Sequence, residues 1–569
     1  MILGKLTNAN FTKYGMLLLP LLVGLAIKDP LNTLYKKTFT SAAAQGPVEE
    51  LLQKGLTLQS AGNNEQAIKL YHQALQTSPT VTPTLIRLGQ SFANMGNHEQ
   101  AIMYFKASLA IEPRHLQVYV ALAMSLMATH DYEEVIKQCT NATKLSPTYF
   151  DAVLQLAKAE SELKHFDSAL LHVQKAISLQ PKNIHAYLNL GHIHNKNGQL
   201  DAAIAAYQKA LEIDPNFPNA LYNLGYTLRI AKKPDEALPY LHRAEQLKEN
   251  YTDAHIALAQ AYWAKADYEN AWKYYAKRLK LLGVDPTKME IPLWDGSSLK
   301  GKKILLYAEQ GLGDTLQFIR YGKMLKEQGA IITCKVQKPL VTLLSSVPYI
   351  DHIITTINNK DFDWQAPLLN IPGIVKTRAN NIPAEIPYLH ADSKLVQFWK
   401  NKLAHDTKFK VGLCWHVDPQ HETDKSPWAK RSVNIELFTP LSSIANTSFY
   451  SLQKISGEDQ LKNLPDSFNI HTFGPNFDEQ HGRFMDTAAV IMNLDLIITV
   501  DTSIAHLAAA MGKKVWMLLP YSPDPRWYEE GNTTPWYPTM RLFRQPKPYD
   551  WNSVGKELVN ALEKEVKHV

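Results

Sequence analysis

Pro79, Pro113, Pro147, Pro181 and Pro215 recur at a constant interval of 34 residues, and no other feature limits the fold so sharply. A proline at that interval ends one helix per repeat, because its ring blocks the preceding turn and it offers no amide hydrogen. Other positions keep the same register. Gly55, Gly89, Gly191 and Gly225 hold one small position, filled elsewhere by Ala123, Ala157 and Ala259. Ala67, Ala101, Ala169, Ala203, Ala237 and Ala271 hold a second, with Val135 replacing alanine once. Small residues at fixed places let paired helices touch. Cys139 takes the large apolar position of Tyr71, Phe105 and Tyr207, so it reads as core.

That period is the one found in tetratricopeptide repeats. Seven fit within residues 48–285, beginning near Val48, Thr82, Leu116, Phe150, Ile184, Pro218 and Thr252. Stacked helix pairs form a curved solenoid with a concave groove for a protein or peptide. Gln53, Arg87, Gln155, Asn189 and Asn223 are equivalent first-helix positions. As a column they can hydrogen-bond an extended peptide; as solvated polar positions they carry nothing. Either way the array supplies a binding surface and no reaction chemistry.

After the array the pattern changes to alternating strand and helix. Residues 286–300, with Pro292 and a WDGSS turn, read as a linker, followed by two α/β halves at 301–405 and 406–569. The first half opens with an apolar run at 304–308, a turn containing Gly311 and Gly313, and helical spacing over 316–325. Further strands are expected at 331–336, 352–356 and 368–371, and a helix at 394–406. Asp314 sits at the helix start, where it either caps the helix or faces a cleft at the carboxyl ends of the strands. Leu316 stands where a dinucleotide fingerprint needs its third glycine, and a strand stands where it needs an acid, which argues against a nicotinamide or flavin site.

In the second half, strands are expected at 410–415, 449–454, 470–473, 496–500 and 515–519, with a C-terminal helix. Asp501 ends a strand, Thr502 or Ser503 can cap the next helix, and Gly512 can close it. Ile504, Leu507, Ala508 and Met511 form a helical stripe, and His506 lies off it beside Thr502 and Ser503. Hydroxyls, backbone amides and an imidazole would then converge where an anion is favoured, unless His506 is a surface residue above an ordinary cap. Trp527, Trp536 and Tyr537 either wall a pocket or pin a long loop, and pinning is the simpler reading.

A net charge of +6 without a dense Lys/Arg block argues against a nucleic-acid partner. Cys139, Cys334 and Cys414 are far apart and outside any CxxC pair, which points to inert thiols in a reducing, cytoplasmic setting. The histidines show no metal-ligand spacing, so no metal or other cofactor is expected. Residues 16–27, MLLLPLLVGLAI, form an uncharged run between lysines that is shorter than a comfortable bilayer span. They read as a peripheral, uncleaved membrane-associated segment or as one packed on the body of the protein. The small residues at 41–44 lie too far beyond for an ordinary signal-cleavage site.

Three stretches, AEQGLGDTLQFIRY, DTAAVIMNLDLIITVDTSIAHLAAAMGKKVWMLLP and PWYPTMRLFRQ, together resemble the heptosyltransferase-like (family 9-like) glycosyltransferases, in the branch where that domain follows tetratricopeptide repeats. The resemblance implies an α plus α/β chain: an all-α solenoid followed by a GT-B domain of two Rossmann-like halves. It implies an inverting, metal-independent transfer of sugar from a nucleotide donor to a protein or glycan acceptor presented by the solenoid. By the same resemblance Asp314 is the base, and Gly313, Asp501, Thr502, Ser503 and His506 lie at the donor. Arg431 and Lys454 are implied to neutralise the leaving diphosphate, although HVDPQHETDKSPWAK is a longer insertion than the family turn and leaves Arg431's place open. Two other readings stand beside it: an inactive repeat scaffold with a transferase-like domain, and an O-linked N-acetylglucosamine transferase, whose catalytic-domain motifs are not seen.

Overall fold

A computed structural model describes residues 45–77, 82–280, 282–357, 361–422 and 429–567. The apolar run at 16–27 and the first of the periodic prolines lie outside the described residues. The chain divides into two compact units, Met1–Pro215 and Asn216–Val569, so the division falls inside the repeat array.

In the first unit the described residues form five antiparallel helix pairs, from Gln45–Ser60 with Asn64–Thr77 to Ile184–Lys196 with Leu200–Ile213. The repeating glycines have a steric cause. A Cβ on Gly55 would lie 2.4 Å from the Tyr71 ring, on Gly89 2.6 Å from Phe105 and on Gly191 2.4 Å from Tyr207. Ala123 and Ala157 are buried in pairs whose second helix carries Cys139 and Val173, also buried. Volume is thus exchanged within each pair, as close packing requires. Gly62, Gly96, His130, Lys164 and Gly198 end the first helices at φ between 60° and 92°, a left-handed closure that recurs in every pair.

The second unit begins with two more pairs, Pro218–Ile230 with Pro234–Leu247 and Thr252–Ala264 with Tyr268–Tyr275, where Lys232 and Ala266 continue the left-handed series. Two parallel sheets follow. One has the order β3-β2-β1-β4, with β1 at Lys303–Tyr307, β2 at Ile331–Lys335, β3 at His352–Ile354 and β4 at Trp364–Pro367. The other has the order β10-β9-β8-β5-β6-β7: β5 at Phe409–Cys414, β6 at Thr447–Ser451, β7 at Ile470–His471, β8 at Leu496–Val500, β9 at Val515–Leu519 and β10 at Met540–Arg544. The chain is therefore a helical repeat array followed by an α/β region of two Rossmann-like sheets. Among the described residues no helix is long and apolar enough to cross a membrane.

Several expectations need correction. The strand expected at 368–371 is a 3-10 turn, Leu368–Asn370, leading into a short helix, and the strand precedes it at Trp364–Pro367. Helical spacing over 316–325 conceals a break between Leu312–Phe318 and Tyr321–Glu327. The segment read as a linker is docked: the Trp294 amide donates to the Gln365 carbonyl at 2.8 Å, the Gln365 amide donates to the Pro292 carbonyl at 2.9 Å, and Ile291, Trp294 and Leu299 are buried. Strand β10 was not anticipated.

The last two helix pairs grip both halves of the α/β region. Arg278 and Glu309 form an ion pair with side chains 3% and 1% exposed, and Arg278 also donates to Asn370 Oδ1 at 2.8 Å. Trp272 Nε1 donates to the Thr377 carbonyl at 2.9 Å. On the other half, Arg229 reaches Ser522 Oγ at 3.4 Å, and the Tyr268 and Tyr528 hydroxyls stand 3.2 Å apart.

Candidate functional site

The turn after β1 and the helix start after β8 pack against each other where the two sheet halves meet. Gly311 leads into helix Leu312–Phe318, and Asp314 closes the turn by accepting the Gly311 amide on Oδ2 at 3.0 Å. Gly313 faces the other half directly: a Cβ there would lie 2.7 Å from His506 Cδ2 and 3.5 Å from Ser503 Cα. Only glycine lets the two halves approach this closely.

Asp314 caps and also pairs. Its Oδ1 lies 2.6 Å from Arg526 Nη1, which comes from the loop after β9. Arg526 donates further to Gln317 Oε1 at 2.7 Å and, through Nε, to Asp524 Oδ1 at 2.9 Å. The sequence reading missed Arg526, which lies 209 residues from Gln317, and no local pattern signals such a contact. It missed Glu309 as well, although that acid sits inside the AEQGLGD turn beside Asp314.

On the second half, Thr502 caps helix Ser503–Ala510 by accepting the Ile504 amide at 3.3 Å, and Gly512 follows the helix at φ 79°. Thr502 and Ser503 remain partly exposed. His506 is not a surface residue above the cap. It is 3% exposed, with Nδ1 3.0 Å from the Tyr537 hydroxyl and Nε2 3.6 Å from Asp501 Oδ1. Tyr537 and Trp527 cover it, their rings centred 5.8 and 5.5 Å from the imidazole. Every residue from Ile504 to Ala510 is buried, so the expected stripe describes only part of the covered surface.

Asp501 is equally enclosed. Its Oδ2 accepts Trp527 Nε1 at 2.9 Å, and its carbonyl accepts Arg431 Nη1 at 3.2 Å. Burial alone would raise the Asp501 carboxyl, but the His506 imidazole and the guanidinium groups of Arg431 and Arg526 outweigh it and hold the group below the usual carboxylate range. The network continues from Tyr537 to the Tyr388 hydroxyl at 3.3 Å and on to Arg320 Nη2 at 2.8 Å, which joins the halves through buried polar groups. Trp527, Trp536 and Tyr537 are all buried and pin the loop, and Trp536 also lines a small pocket together with Phe318 and Arg526.

The structure thus brings Gly313, Asp314, Ser503 and His506 together at one junction, with Asp501 and Thr502 beside it and Arg431 on the Asp501 carbonyl. Lys454 is tied elsewhere, 2.8 Å from Glu479 and also bonded to the Phe477 carbonyl. In the array, Gln53 donates to Glu49 Oε1 at 3.4 Å, Arg87 to Gln90 Oε1 at 3.1 Å and Asn189 to the His185 carbonyl at 2.6 Å, while Gln155 and Asn223 are half-buried. Cys139, Cys334 and Cys414 are buried free thiols, and burial pushes Cys139 up to about 12 and Cys414 up to about 11.

Comparison with known proteins agrees with this layout. Family models described as tetratricopeptide repeat match residues 82–115, 172–205 and 254–290, and one described as TPR repeat matches 191–229. The glycosyltransferase family 9 (heptosyltransferase) model matches residues 483–546, the stretch containing Asp501, Thr502, Ser503, His506 and Arg526. Protein FlbA of Caulobacter vibrioides is 24% identical over 317 residues, covering 51% of this chain, which spans about half (52%) of that relative's length. Solved structures with some likeness include a thermophilic TPR protein of Thermus thermophilus (23% identity, TM-score 0.28, 32% of this chain and 99% of that one) and a tetratricopeptide repeat protein of Parabacteroides merdae (14%, 0.38, 42% and 95%). The chain therefore matches tetratricopeptide repeats along its helical array and is similar to the glycosyltransferase family 9 (heptosyltransferase) model over residues 483–546 of its C-terminal region.

Proposed function

We propose that this protein is a glycosyltransferase that moves a sugar from a nucleotide donor to a protein or glycan acceptor presented by the repeats, with inversion and without a metal. The observation that carries the reading is the junction of Gly313 with His506 and Ser503, which sets the Asp314 turn of one half against the helix start of the other. Donor and acceptor held on the two walls of such a cleft would meet there.

In this reading the acceptor hydroxyl gives its proton to the Asp314 carboxylate as its oxygen bonds to the anomeric carbon. The bond from that carbon to the diphosphate oxygen breaks with inversion, and the electron pair leaves on the diphosphate. Charge developing on the phosphates is met by the backbone amides at Ser503 and by Thr502, with Arg431 close by. Asp501 and His506 act from beneath: buried and hydrogen-bonded, they fix the helix start and the loop carrying Trp527. Lys454 reaches the diphosphate only by leaving Glu479. The column of Gln53, Arg87, Gln155, Asn189 and Asn223 is the peptide-binding face in the same reading, and a cytoplasmic location follows from the reduced thiols.

A thermal-shift and calorimetric screen of nucleoside diphosphates tests the donor site. Binding to the folded state alone raises stability by about 2.7 kcal/mol at a hundredfold excess over Kd. Thr502→Ala is expected to weaken that binding with the fold intact. Wild-type protein that binds no nucleoside diphosphate overturns the reading in favour of an inactive scaffold.

A further inference from the structure

Arg526 spends its whole guanidinium inside the cleft. Nη1 lies on Asp314 and Gln317, Nε on Asp524 Oδ1, and Nη2 on Asp524 Oδ2 at 3.3 Å, so two carboxylates share one cation. Its side chain is 12% exposed and that of Asp314 17%, which leaves both within reach of a bound molecule but largely shielded from water. The backbone beneath is fixed. Trp527 is held by Asp501, and Arg544 donates to the Tyr528 carbonyl at 2.8 Å and to the Gly531 carbonyl at 2.7 Å. A change of partner needs only the arginine side chain to turn.

We propose that Arg526 is a partner-switching latch, paired with Asp314 while the cleft is empty and drawn onto the donor diphosphate when it arrives. The inference rests on the donor-site reading and adds a residue to it. A guanidinium fork fits carboxylate and phosphate oxygens in the same planar geometry, so the two compete for it. A diphosphate brings more charge than the one carboxylate oxygen it displaces, and in a shielded cleft that difference is weakly screened. As paired, the outward oxygen of Asp314 is engaged by Arg526 and the other by the Gly311 amide. Moving Arg526 frees the outward oxygen to take the acceptor proton. Donor binding and release of the base thus become one event, which disfavours proton transfer before the donor is seated. Gln317 and Asp524 keep the displaced side chain near the cleft.

The test is calorimetry on the full chain with UDP, GDP, CDP and ADP as probes, using Asp314→Asn, Arg526→Gln and the double variant, each checked for an unchanged melting profile. Arg526→Gln is expected to weaken the preferred diphosphate by about tenfold or more, the size of a lost charge-assisted hydrogen bond. Asp314→Asn removes the competitor and is expected to tighten it severalfold. In the Arg526→Gln background the Asp314 change is expected to do nothing, because the competition needs the arginine. Should Arg526→Gln fold poorly, Arg526→Lys keeps the charge without the fork and is expected to bind between the two. Tightening by Asp314→Asn that is equal in both backgrounds would reveal a general field effect and overturn the latch. Wild-type binding that Asp314→Asn leaves unchanged or weaker, or that Arg526→Gln leaves intact, would also overturn it while sparing the donor site. A wild type that binds none of the four probes would remove both proposals.

Discussion

The repeats and the cleft obey different rules. In the repeats each position is explained by a neighbour one helix away: Gly191 is glycine because Tyr207 lies against it, and Ala157 can be alanine where the second helix carries Val173. In the cleft the deciding contacts join distant segments. Arg278 answers Glu309, Gly313 answers His506, and Arg526 answers Asp314. Local exchange makes an array tolerant, since damage stays within a pair. Long-range pairing makes a cleft unforgiving, because each partner is buried or shielded and the loss of one leaves the other desolvated without its counter-charge.

The largest effect is expected where that difference is sharpest. Arg278→Ala leaves Glu309 as a buried charge without its partner and should cost about 3–5 kcal/mol in denaturant unfolding of the second unit. The pair Arg278→Met with Glu309→Leu should cost far less. Equal losses for the single and double variants would show that volume, and not charge, holds the last repeat to the α/β region.

Next in size, Gly191→Ala overpacks one helix pair against Tyr207 and is expected to cost about 1–3 kcal/mol. Adding Tyr207→Val should recover most of it, reproducing the pairing of Ala157 with Val173. A double variant no better than the single one would mean that the repeats are not compensated within a pair.

A smaller gain is expected from Ala266→Gly. Ala266 sits at φ 56°, where glycine serves in other repeats, and a Cβ there costs roughly 1–2 kcal/mol, part of which the flexible unfolded glycine takes back. A lower melting temperature for Ala266→Gly would refute the steric reading of that turn.

The smallest effect is one of pH. Glu162 in the fourth pair is pulled down to about 2: burial opposes the shift, but hydrogen bonds and charge from His192 and Lys196 override it. A depressed acid stabilises the fold above its unfolded value near 4.5, and that contribution is lost as pH falls toward about 2. Glu162→Gln should flatten this part of the stability profile of the first unit. An unchanged acid slope would mean that the cluster is solvated and contributes nothing.

The same contrast explains what could be read from sequence. The 34-residue period exposed the helix pairs because each repeat states its own packing. The αL closures at 62, 96, 130, 164, 198, 232 and 266 share the period, yet only three are glycine, so composition hid them. In the α/β region the apolar runs of β1, β5, β8 and β9 were plain. β10 was obscured by Arg541 and Arg544, of which Arg541 lies over the Trp516 and Phe543 rings. Asp314 and Thr502 could be found from their turns. The burial of His506 could not, since it depends on Trp527 and Tyr537 folding back from a later loop, and the same loop carries Arg526.

Sugar transfer through Asp314 is tested most directly by nucleotide release from a panel of nucleotide sugars, with cell extract as acceptor, comparing wild type and Asp314→Asn at matched melting temperature. Loss of a general base typically costs on the order of a hundredfold to ten-thousandfold, and that loss, with donor binding tightened rather than lost, is the expected result. Wild-type turnover that Asp314→Asn leaves within about threefold, far below the general-base range, would contradict the assignment.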